Sequence, residues 1–206
     1  MRRALTLVTG PASEPVTLAE FKLWAKIDTD DDDPLITALL VAARQGAEEF
    51  TRRAFVTQTW KVAIDTGSNR WADNLPAGIY DLPVSILNGS LPTAVELPRQ
   101  PIQSITSVVT YGTDNTSSTC SASSYALIGS RMVLTSTATW PSSLRTVGAV
   151  EITYVAGYGL AASVPQAIRT AILMHAQTMY DERTTCDMPG SCETLLRNYR
   201  ILDSLR

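Results

Sequence analysis

Apolar residues near the start of the chain recur every three or four positions, which is the spacing of one helix face. In "TLAEFKLWAKI" that face consists of Leu18, Phe21 and Ala25, and Thr17 and Glu20 stand at capping-box spacing. From Pro34 a longer stripe begins, which consists of Leu35, Leu39, Ala43, Ala47 and Phe50, widened by Ile36 and Leu40. The pattern predicts a short helix and then a second helix to about residue 53, after an irregular lead-in over residues 1–15.

Five aspartates occupy the six positions from Asp28 to Asp33, between the two predicted helices. A calcium-binding EF-hand loop fits the acids at its first, third and fifth positions, but Asp33 stands at its glycine position and Leu39 at its closing glutamate. A disordered tract does not fit, because the run passes directly into an apolar-periodic segment. We therefore predict a helix start, with Asp33 as N-cap and Pro34 in the first turn. Why five acids stand where one would suffice stays open.

The middle of the chain changes character, since apolar and polar residues alternate there as in a half-buried strand. In "TQTWKVAID", Trp60, Val62 and Ile64 fall on one side. Further short runs with β-branched residues cover 105–111, 124–128, 131–135 and 149–157, in a stretch rich in Ser, Thr, Gly and Pro. Gly129 and Ser130 between two of these runs predict a hairpin turn. "TDNTSSTCSASS" is expected to be a flexible loop.

Helical spacing returns after residue 157. In "SVPQAIRTAILMHAQTMYDER", Ser163 and Gln166 have capping spacing and Pro165 lies in the first turn. The apolar face of this third helix consists of Ile168, Ala171, Ile172, His175 and Met179. A last helix is predicted in "CETLLRNYRILDSLR", with one side formed by Leu195, Tyr199 and Leu202.

Together these elements predict an α+β fold, in which two N-terminal and two C-terminal helices form an α-helical bundle with an inserted small antiparallel β unit. The expected parts are residues 1–56, 57–157 and 158–206, with the first and last packing together as one composite domain. The 206 residues, 45% hydrophobic and 18% charged, suffice for one or two cores. No stretch approaches the roughly 18 apolar residues of a membrane span. The net charge of −3 argues against a generally basic nucleic-acid-binding surface.

The sequence offers little for catalysis or for binding a metal or cofactor. His175 is the only histidine, and its place in the apolar stripe predicts a packed, hydrogen-bonded core residue. No GxSxG motif is present, and "AGYG" at 156–159 fits no phosphate-binding loop, so it is expected to turn the chain from strand to helix. Cys186 and Cys192 flank a turn and are expected to be free thiols, although a pairing between them stays open. We predict no catalytic residue, no cofactor and no metal.

Four stretches, taken in order, resemble one family of proteins. They are residues 14–62, where the acidic run leads into the second helix and a Thr-Gln-Thr-Trp strand, residues 97–111, residues 150–183, and "LLRNYR" at 195–200. The chain resembles the head-tail connector (adaptor) proteins of tailed bacteriophages, prophages and gene transfer agents, in the phage gp6-like or gp8-like connector family. It departs from that family's pattern at Arg52, where a glycine stop is common, and at Asn198, where a proline is common, so the last helix is expected to run on unbroken.

The resemblance implies a structural protein without catalysis, which forms a homo-oligomeric, dodecameric ring. The ring would dock beneath the portal protein of a filled head, offer a platform to stopper, head-completion or tail proteins, and let DNA pass through its channel without sequence-specific binding. The protein would lie at the head-tail interface of the virion, and in the host cytoplasm before assembly.

Three groups of charged or aromatic residues become candidates for contacts in such a ring. The subunit-interface candidates, on a solvated helix end with acids four positions before arginines, are Glu48, Glu49, Arg52 and Arg53. The candidates that face the lumen or a neighbour, where like charge would keep DNA phosphate from binding, are Asp30, Asp31, Asp32 and Asp33. The portal-contact candidates are Arg197, Tyr199, Arg200 and Leu202. Two alternatives stay open: a solvated acidic cap on the outside, and a Tyr199 that closes the subunit's own core.

Other functions are weighed against the connector. A different virion component, such as a head-completion or tail-terminator protein, would have another ring partner. A small hydrolase would need His175 exposed in a pocket beside a carboxylate, whereas the stripe predicts it buried; a binding module is the remaining class. The sequence does not fix the subunit number, the terminus that meets the portal, the place of the β unit in the ring, or whether the particle is a phage or a gene transfer agent.

Overall fold

The computed structural model describes residues 3–66, 91–183 and 187–202, so Cys186 and its predicted state lie outside the described residues. The chain divides into two compact units. The sheet unit comprises Met1–Thr9, Thr59–Leu97 and Ile102–Val155, and the helical unit comprises Gly10–Gln58, Pro98–Pro101 and Ala156–Arg206. In the described parts of the chain, no helix is both long and apolar enough to cross a membrane.

The helical unit contains four helices: α1 (Leu18–Ala25), α2 (Asp33–Thr51), α3 (Gln166–Glu182) and α4 (Gly190–Leu196). Their buried side chains form one apolar cluster, to which α1 contributes Phe21 and α4 contributes Cys192 and Leu196. Helix α2 packs against α3 and α4, and α1 packs against both α2 and α3. The Phe21 ring meets Tyr180 edge-on, with ring centroids 6.2 Å apart.

The core-facing stripe of α2 lies within the predicted one but is centred on Ile36 and Leu40 instead of Leu35 and Leu39. Its buried apolar residues are Ile36, Leu40, Ala43 and Ala47, whereas Leu35 is exposed. Apolar residues stand side by side at 35–36 and at 39–40, so the sequence fits either face. The structure buries Ile36 and Leu40 together with Ala43 and Ala47, in the same apolar cluster as Ala171 and Ala176 of α3.

The helix ends confirm some predictions and correct others. Thr17 and Glu20 form the predicted capping box of α1. The N-cap of α2 is Asp32, not Asp33, and its side chain makes no capping bond. Helix α3 starts after Pro165 without a side-chain cap, so the predicted Ser163 cap is wrong. Helix α4 ends at Leu196 and a 3-10 turn covers Arg197–Tyr199, so the last helix does not run on as expected.

Basic residues in the left-handed backbone conformation close three of these helices. They are Lys26 after α1, Arg52 after α2 and Arg183 after α3, with φ of 56°, 58° and 51°. Each backbone N–H donates to a carbonyl four residues earlier. Arg52 therefore ends α2 where the family pattern has glycine, and a positive charge at this end complements the helix dipole.

The β elements form two sheets. The five-stranded sheet consists of β1 (Arg3–Thr9), β2 (Gln58–Ile64), β8 (Val150–Ala156), β4 (Ile102–Tyr111) and β5 (Ser117–Thr119), in that spatial order. The three-stranded sheet consists of β3 (Ala94–Glu96), β7 (Arg131–Leu134) and β6 (Tyr125–Ile128), in that spatial order. The β1–β2, β4–β5, β3–β7 and β6–β7 pairs are antiparallel.

The sheet confirms the predicted strands and corrects two segments. The β6–β7 hairpin turns at Gly129, whose φ is +62°. Residues 3–9 form a strand instead of an irregular lead-in, because they pair antiparallel with β2, from Arg3 opposite Ile64 to Thr9 opposite Thr59. The predicted flexible loop "TDNTSSTCSASS" contains β5 and a 3-10 turn at Ala122–Ser124.

Gly157 turns the chain out of β8 where two backbone segments come close, as predicted for "AGYG". Its φ is +122°, and an added Cβ would lie 2.5 Å from the Val56 carbonyl oxygen and 2.9 Å from the Thr57 nitrogen. The Gly157 N–H donates to the Pro101 carbonyl at 2.8 Å, and the Tyr158 N–H donates to Phe55 at 2.8 Å. A side chain at position 157 would push this segment away from residues 56–57.

We expect Gly157→Ala to lower the free energy of unfolding by about 3 kcal/mol or more, since backbone strain adds to a clash with main-chain atoms. Urea denaturation followed by circular dichroism measures this change. Gly190→Ala is the matched control, because a Cβ there meets nothing within 4 Å. Its effect should stay within about 1 kcal/mol. Equal losses in the two variants would contradict the close approach at Gly157.

Candidate functional site: charged and apolar surfaces of the helical unit

The acidic run binds the start of α2 to two other helices. Lys22 of α1 donates to Asp33 at 2.8 Å and also contacts Asp30. The Tyr180 hydroxyl of α3 donates to the Asp32 carboxylate at 2.6 Å. Three of the five aspartates thus have partners on neighbouring helices, which gives the surplus acids a structural use. Asp31 is exposed.

The electrostatics of this run follow from those contacts. The hydrogen bond from Lys22 lowers the pKa of Asp30, and the bonds to Asp30 and Asp33 raise the pKa of Lys22. The bond to Asp32 raises the pKa of Tyr180. Within the described residues, no group of three or more His, Cys, Asp or Glu side chains is placed to hold a metal ion.

A buried ionic cluster lies toward the other end of α2; we call it the Glu48 cluster and define it as Glu14, Arg44, Glu48, Phe55 and Gln58. The Glu48 carboxylate accepts from the Phe55 N–H at 2.8 Å, from the Gln58 amide at 2.5 Å and from Arg44 at 2.7 Å. Arg44 also donates to Glu14 at 2.7 Å. Burial raises the pKa of Glu48, although these donors oppose that rise.

The predicted subunit-interface residues divide into internal and external groups. Glu48 is only 7% exposed and pairs with Arg44, so its predicted place on a solvated helix end is wrong. Glu49 has a side chain that is 77% exposed and pairs with Arg99, which also donates to the Glu48 carbonyl at 2.9 Å. Arg52 is exposed, and Arg53 donates to the Tyr199 carbonyl. Glu49 and Arg52 therefore keep the accessible charges.

The predicted portal-contact residues lie on the segment after α4. Tyr199 is half-buried and packs against the helical core, which is the alternative that the sequence left open. The Arg200 guanidinium lies 5.0 Å from the centre of the Phe50 ring, and the Ile201 N–H donates to Thr51 at 3.0 Å. Arg197 is exposed and Leu202 is 76% exposed. The segment is thus held on the end of α2, with the Leu202 side chain in solvent.

Two side chains with possible chemistry, His175 and Cys192, are buried. His175 is buried on α3, where its ring faces Gly46 of α2, as the apolar stripe predicted. Cys192 is buried on α4, and burial raises the pKa of its thiol. A catalytic histidine would need access to substrate, so this position fits a core residue.

Sequence reasoning missed an apolar groove beside α1. Leu23 is 83% exposed, and together with Trp24, Val16 and Leu173 it lines a groove of about 550 Å³. The signal in the sequence was the Leu-Trp pair outside the Phe21 face of α1. Arg169, which pairs with Glu20, lies at the same groove.

Comparison with known proteins gives a family and a fold. The model of a family described as "Phage gp6-like head-tail connector protein" matches residues 15–132, more than half of the chain. The chain is similar to structures titled "Neck of empty GTA particle computed with C6 symmetry" (20% identity, TM-score 0.74) and "Virion of native gene transfer agent (GTA) particle" (19%, 0.72). A third is titled "Neck of native GTA particle computed with C12 symmetry" (20%, 0.71). Each match covers 98% of this chain and 97% of the other, so the fold is shared over nearly its whole length. Among proteins of curated function, none matches.

We expect Glu48→Ala to lower the free energy of unfolding by about 3–5 kcal/mol, because it removes the acceptor of the buried Phe55 N–H and Gln58 amide and leaves the buried Arg44 with Glu14 as its ion-pair partner. Glu49→Ala is the control on the adjacent residue, and its exposed pair with Arg99 should account for less than about 1 kcal/mol. Chemical denaturation of both variants measures the difference. If Glu49→Ala proved as harmful as Glu48→Ala, the Glu48 cluster would not be what stabilises this end of α2.

Proposed function

The chain belongs to the phage gp6-like head-tail connector family, and from this premise we propose that it forms a ring of twelve copies beneath the portal of a tailed phage-like particle. As a member of this family it is a structural protein of the virion and not an enzyme. The observation that carries the ring proposal is the likeness of the fold, over nearly the whole chain, to a particle neck with C12 symmetry. In this position the ring joins the DNA-filled head to stopper or tail proteins.

The helical unit is the proposed body of each subunit. The four helices would act as a bundle built from residues 10–56 and 158–206, with residues 57–157 as the inserted β part, to which residues 3–9 add strand β1. Support comes from the single apolar cluster that α1, α2, α3 and α4 share. The chain would wait in the host cytoplasm until a portal is available.

Contact between neighbouring subunits is assigned to the charged end of α2. A closed ring needs two unlike faces on each copy, in heterologous contact. Glu49 and Arg52 are exposed there and set the register of that contact, since charges at an interface give specificity more than affinity. Glu48 and Arg53 contribute indirectly. They bind the Phe55 N–H and the Tyr199 carbonyl, and so hold the end of α2 that carries the exposed charges in place.

Contact with the portal is assigned to the segment after α4. Leu202 extends into solvent, with Arg197 and Arg200 exposed nearby in sequence, and an apolar anchor with arginines suits an interface core. Tyr199 contributes by packing this segment against its own core. Deletion of the whole last helix would also remove the buried Cys192 and Leu196, so a point substitution tests the contact more cleanly.

The exposed acids at the start of α2 are assigned to the wall of the DNA channel. DNA that slides through a tube gains from a wall that does not bind phosphate. Asp31 and Asp30 supply exposed negative charge, although Asp30 also pairs with Lys22, and Asp32 and Asp33 bind Tyr180 and Lys22. DNA passes without sequence-specific contacts in this arrangement.

We expect electron microscopy of the chain mixed with its portal to show a twelvefold ring beneath the portal. Leu202→Asp should weaken portal binding at least about tenfold without changing stability, because the side chain is exposed. Leu160→Asp is the matched control, since Leu160 is exposed to a similar degree.

Two outcomes of that experiment separate the claims. Portal particles without added density for the wild-type chain would contradict the connector ring. A ring that forms equally well with Leu202→Asp would contradict only the portal anchor. A monomeric free chain agrees with both claims, because the portal supplies the template.

We expect Asp31→Lys to slow DNA release from assembled particles, since a lysine in the channel would bind phosphate. Asp187→Lys, at another exposed aspartate, is the control for the added charge. Ejected DNA is measured over time by nuclease digestion. Unchanged release from Asp31→Lys particles that assemble normally would remove the lumen assignment.

A further inference from the structure

The five-stranded sheet ends in two open edges among the residues that the structure describes. Strand β1 forms one edge and β5 the other. All seven residues of β1 are exposed, and its regular ladder with β2 runs from Arg3 to Leu7 before a register shift. An edge strand presents a row of N–H and C=O groups to which another strand can add.

The side chains on the two faces of this sheet can be assigned from the contacts on its polar face. Glu151 of β8 contacts Lys61 of β2 at 3.3 Å and accepts from the Tyr111 hydroxyl of β4 at 3.2 Å, so these three share one face. Successive residues alternate between faces. The opposite face therefore carries Val62 and Ile152, both fully buried. On β4 it carries Thr110, next to Tyr111, and Val108, two positions before Thr110.

Strand β1 extends this buried face to the edge of the sheet, where the β1 side chains are exposed. Leu5 stands opposite Val62 and Leu7 opposite Trp60, and residues directly opposite each other share a face. Leu5 is nevertheless 36% exposed and Leu7 is 45% exposed. The apolar face of the sheet thus reaches solvent at β1.

The opposite edge has a matching position. The β4–β5 ladder pairs Val109 with Thr119, and the Cys120 N–H donates to the Val108 carbonyl at 2.8 Å. Cys120 therefore stands beside Val108, on the buried face and directly after β5. It is partly buried, which raises the pKa of its thiol.

We propose that β1 of one copy lies beside β5 of the next copy, so that the sheet and its apolar face continue from subunit to subunit. This contact rests on the proposed ring. One chain must supply two unlike surfaces for a heterologous ring, and the two sheet edges are such a pair. Their charges are also complementary, since Arg3 begins β1 and Asp114 lies in the turn before β5, both exposed.

The length of the edges explains when this contact forms. Strand β5 has three residues, so only about 10 Å of ladder can pair. The surface that so short a ladder buries is well below the roughly 1,200 Å² buried in a stable interface. Free copies stay apart, and the portal brings the edges together by holding neighbouring subunits in place.

Cysteine crosslinking tests the proposal, because only side chains on the same face of a continued sheet come within disulfide distance. Leu5→Cys and Leu7→Cys are each made with native Cys120 present and Cys186→Ser in the background. Thr6→Cys, on the opposite face of β1, is the matched control. After assembly on the portal and mild oxidation, non-reducing gel electrophoresis of the Leu5 or Leu7 variant should show a series of disulfide-linked oligomers, which we call the gel ladder. Its yield should be at least about tenfold higher than with Thr6→Cys. Cys120→Ser should remove the gel ladder.

The outcomes distinguish this contact from the ring itself. A ring visible by electron microscopy with no gel ladder from either leucine position overturns the edge contact and leaves the connector ring standing. A gel ladder of equal yield from Thr6→Cys also overturns it, because the crosslink would then not depend on the face. No ring with the wild-type chain removes both.

Discussion

The buried carboxylate of Glu48 is the constraint on which the arrangement of the helical unit depends. A charge inside a protein is tolerated only where donors surround it, and this one requires Arg44, the Phe55 N–H and Gln58 at fixed positions. The end of α2 is thereby bound to residues 55–58, which lead into β2. Arg99 adds residues 98–101 through the Glu48 carbonyl, and the missing side chain at Gly157 lets residues 156–159 lie against 56–57. Three parts of the helical unit that border a strand in sequence (residues 55–58, 98–101 and 156–159) are thus connected to the end of α2, the last of them through residues 55–57.

The start of α2 is held by the same kind of interaction at lower burial. Asp32 and Asp33 bind Tyr180 and Lys22, so the helix is joined to α3 and α1 through charge as well as through its apolar face. These contacts are exposed or half-exposed and contribute less than the Glu48 cluster, because water competes for them. They determine which helices lie beside the start of α2 more than they stabilise the fold.

The sequence predicted the parts of the fold that depend on local spacing. Four helices, the β6–β7 hairpin and the burial of His175 followed from periodicity and turn residues, because those signals lie within a few residues of each other. The residues of the α2 stripe were predicted but not its centre, since two apolar residues stand side by side at 35–36 and at 39–40. Strand β1 and the inward position of Glu48 were missed for another reason. The partner of β1 is β2, where Val62 stands opposite Leu5, and Glu48 contacts Gln58 and Arg99. These partners lie outside the local pattern of each segment and meet it only in the fold.

The division of charges between interior and surface explains how such a protein can be both well defined alone and ready to assemble. Glu48, Arg44 and Arg53 are used internally, which fixes the segments that carry Glu49, Arg52 and Leu202 outside. Exposed charges and short sheet edges give weak contacts in free solution, whereas several of them acting at once on a template give strong ones. In the proposed ring, a chain built in this way stays separate during synthesis and joins its neighbours only on the portal. In that proposal its specificity comes from the number of weak contacts that must fit together.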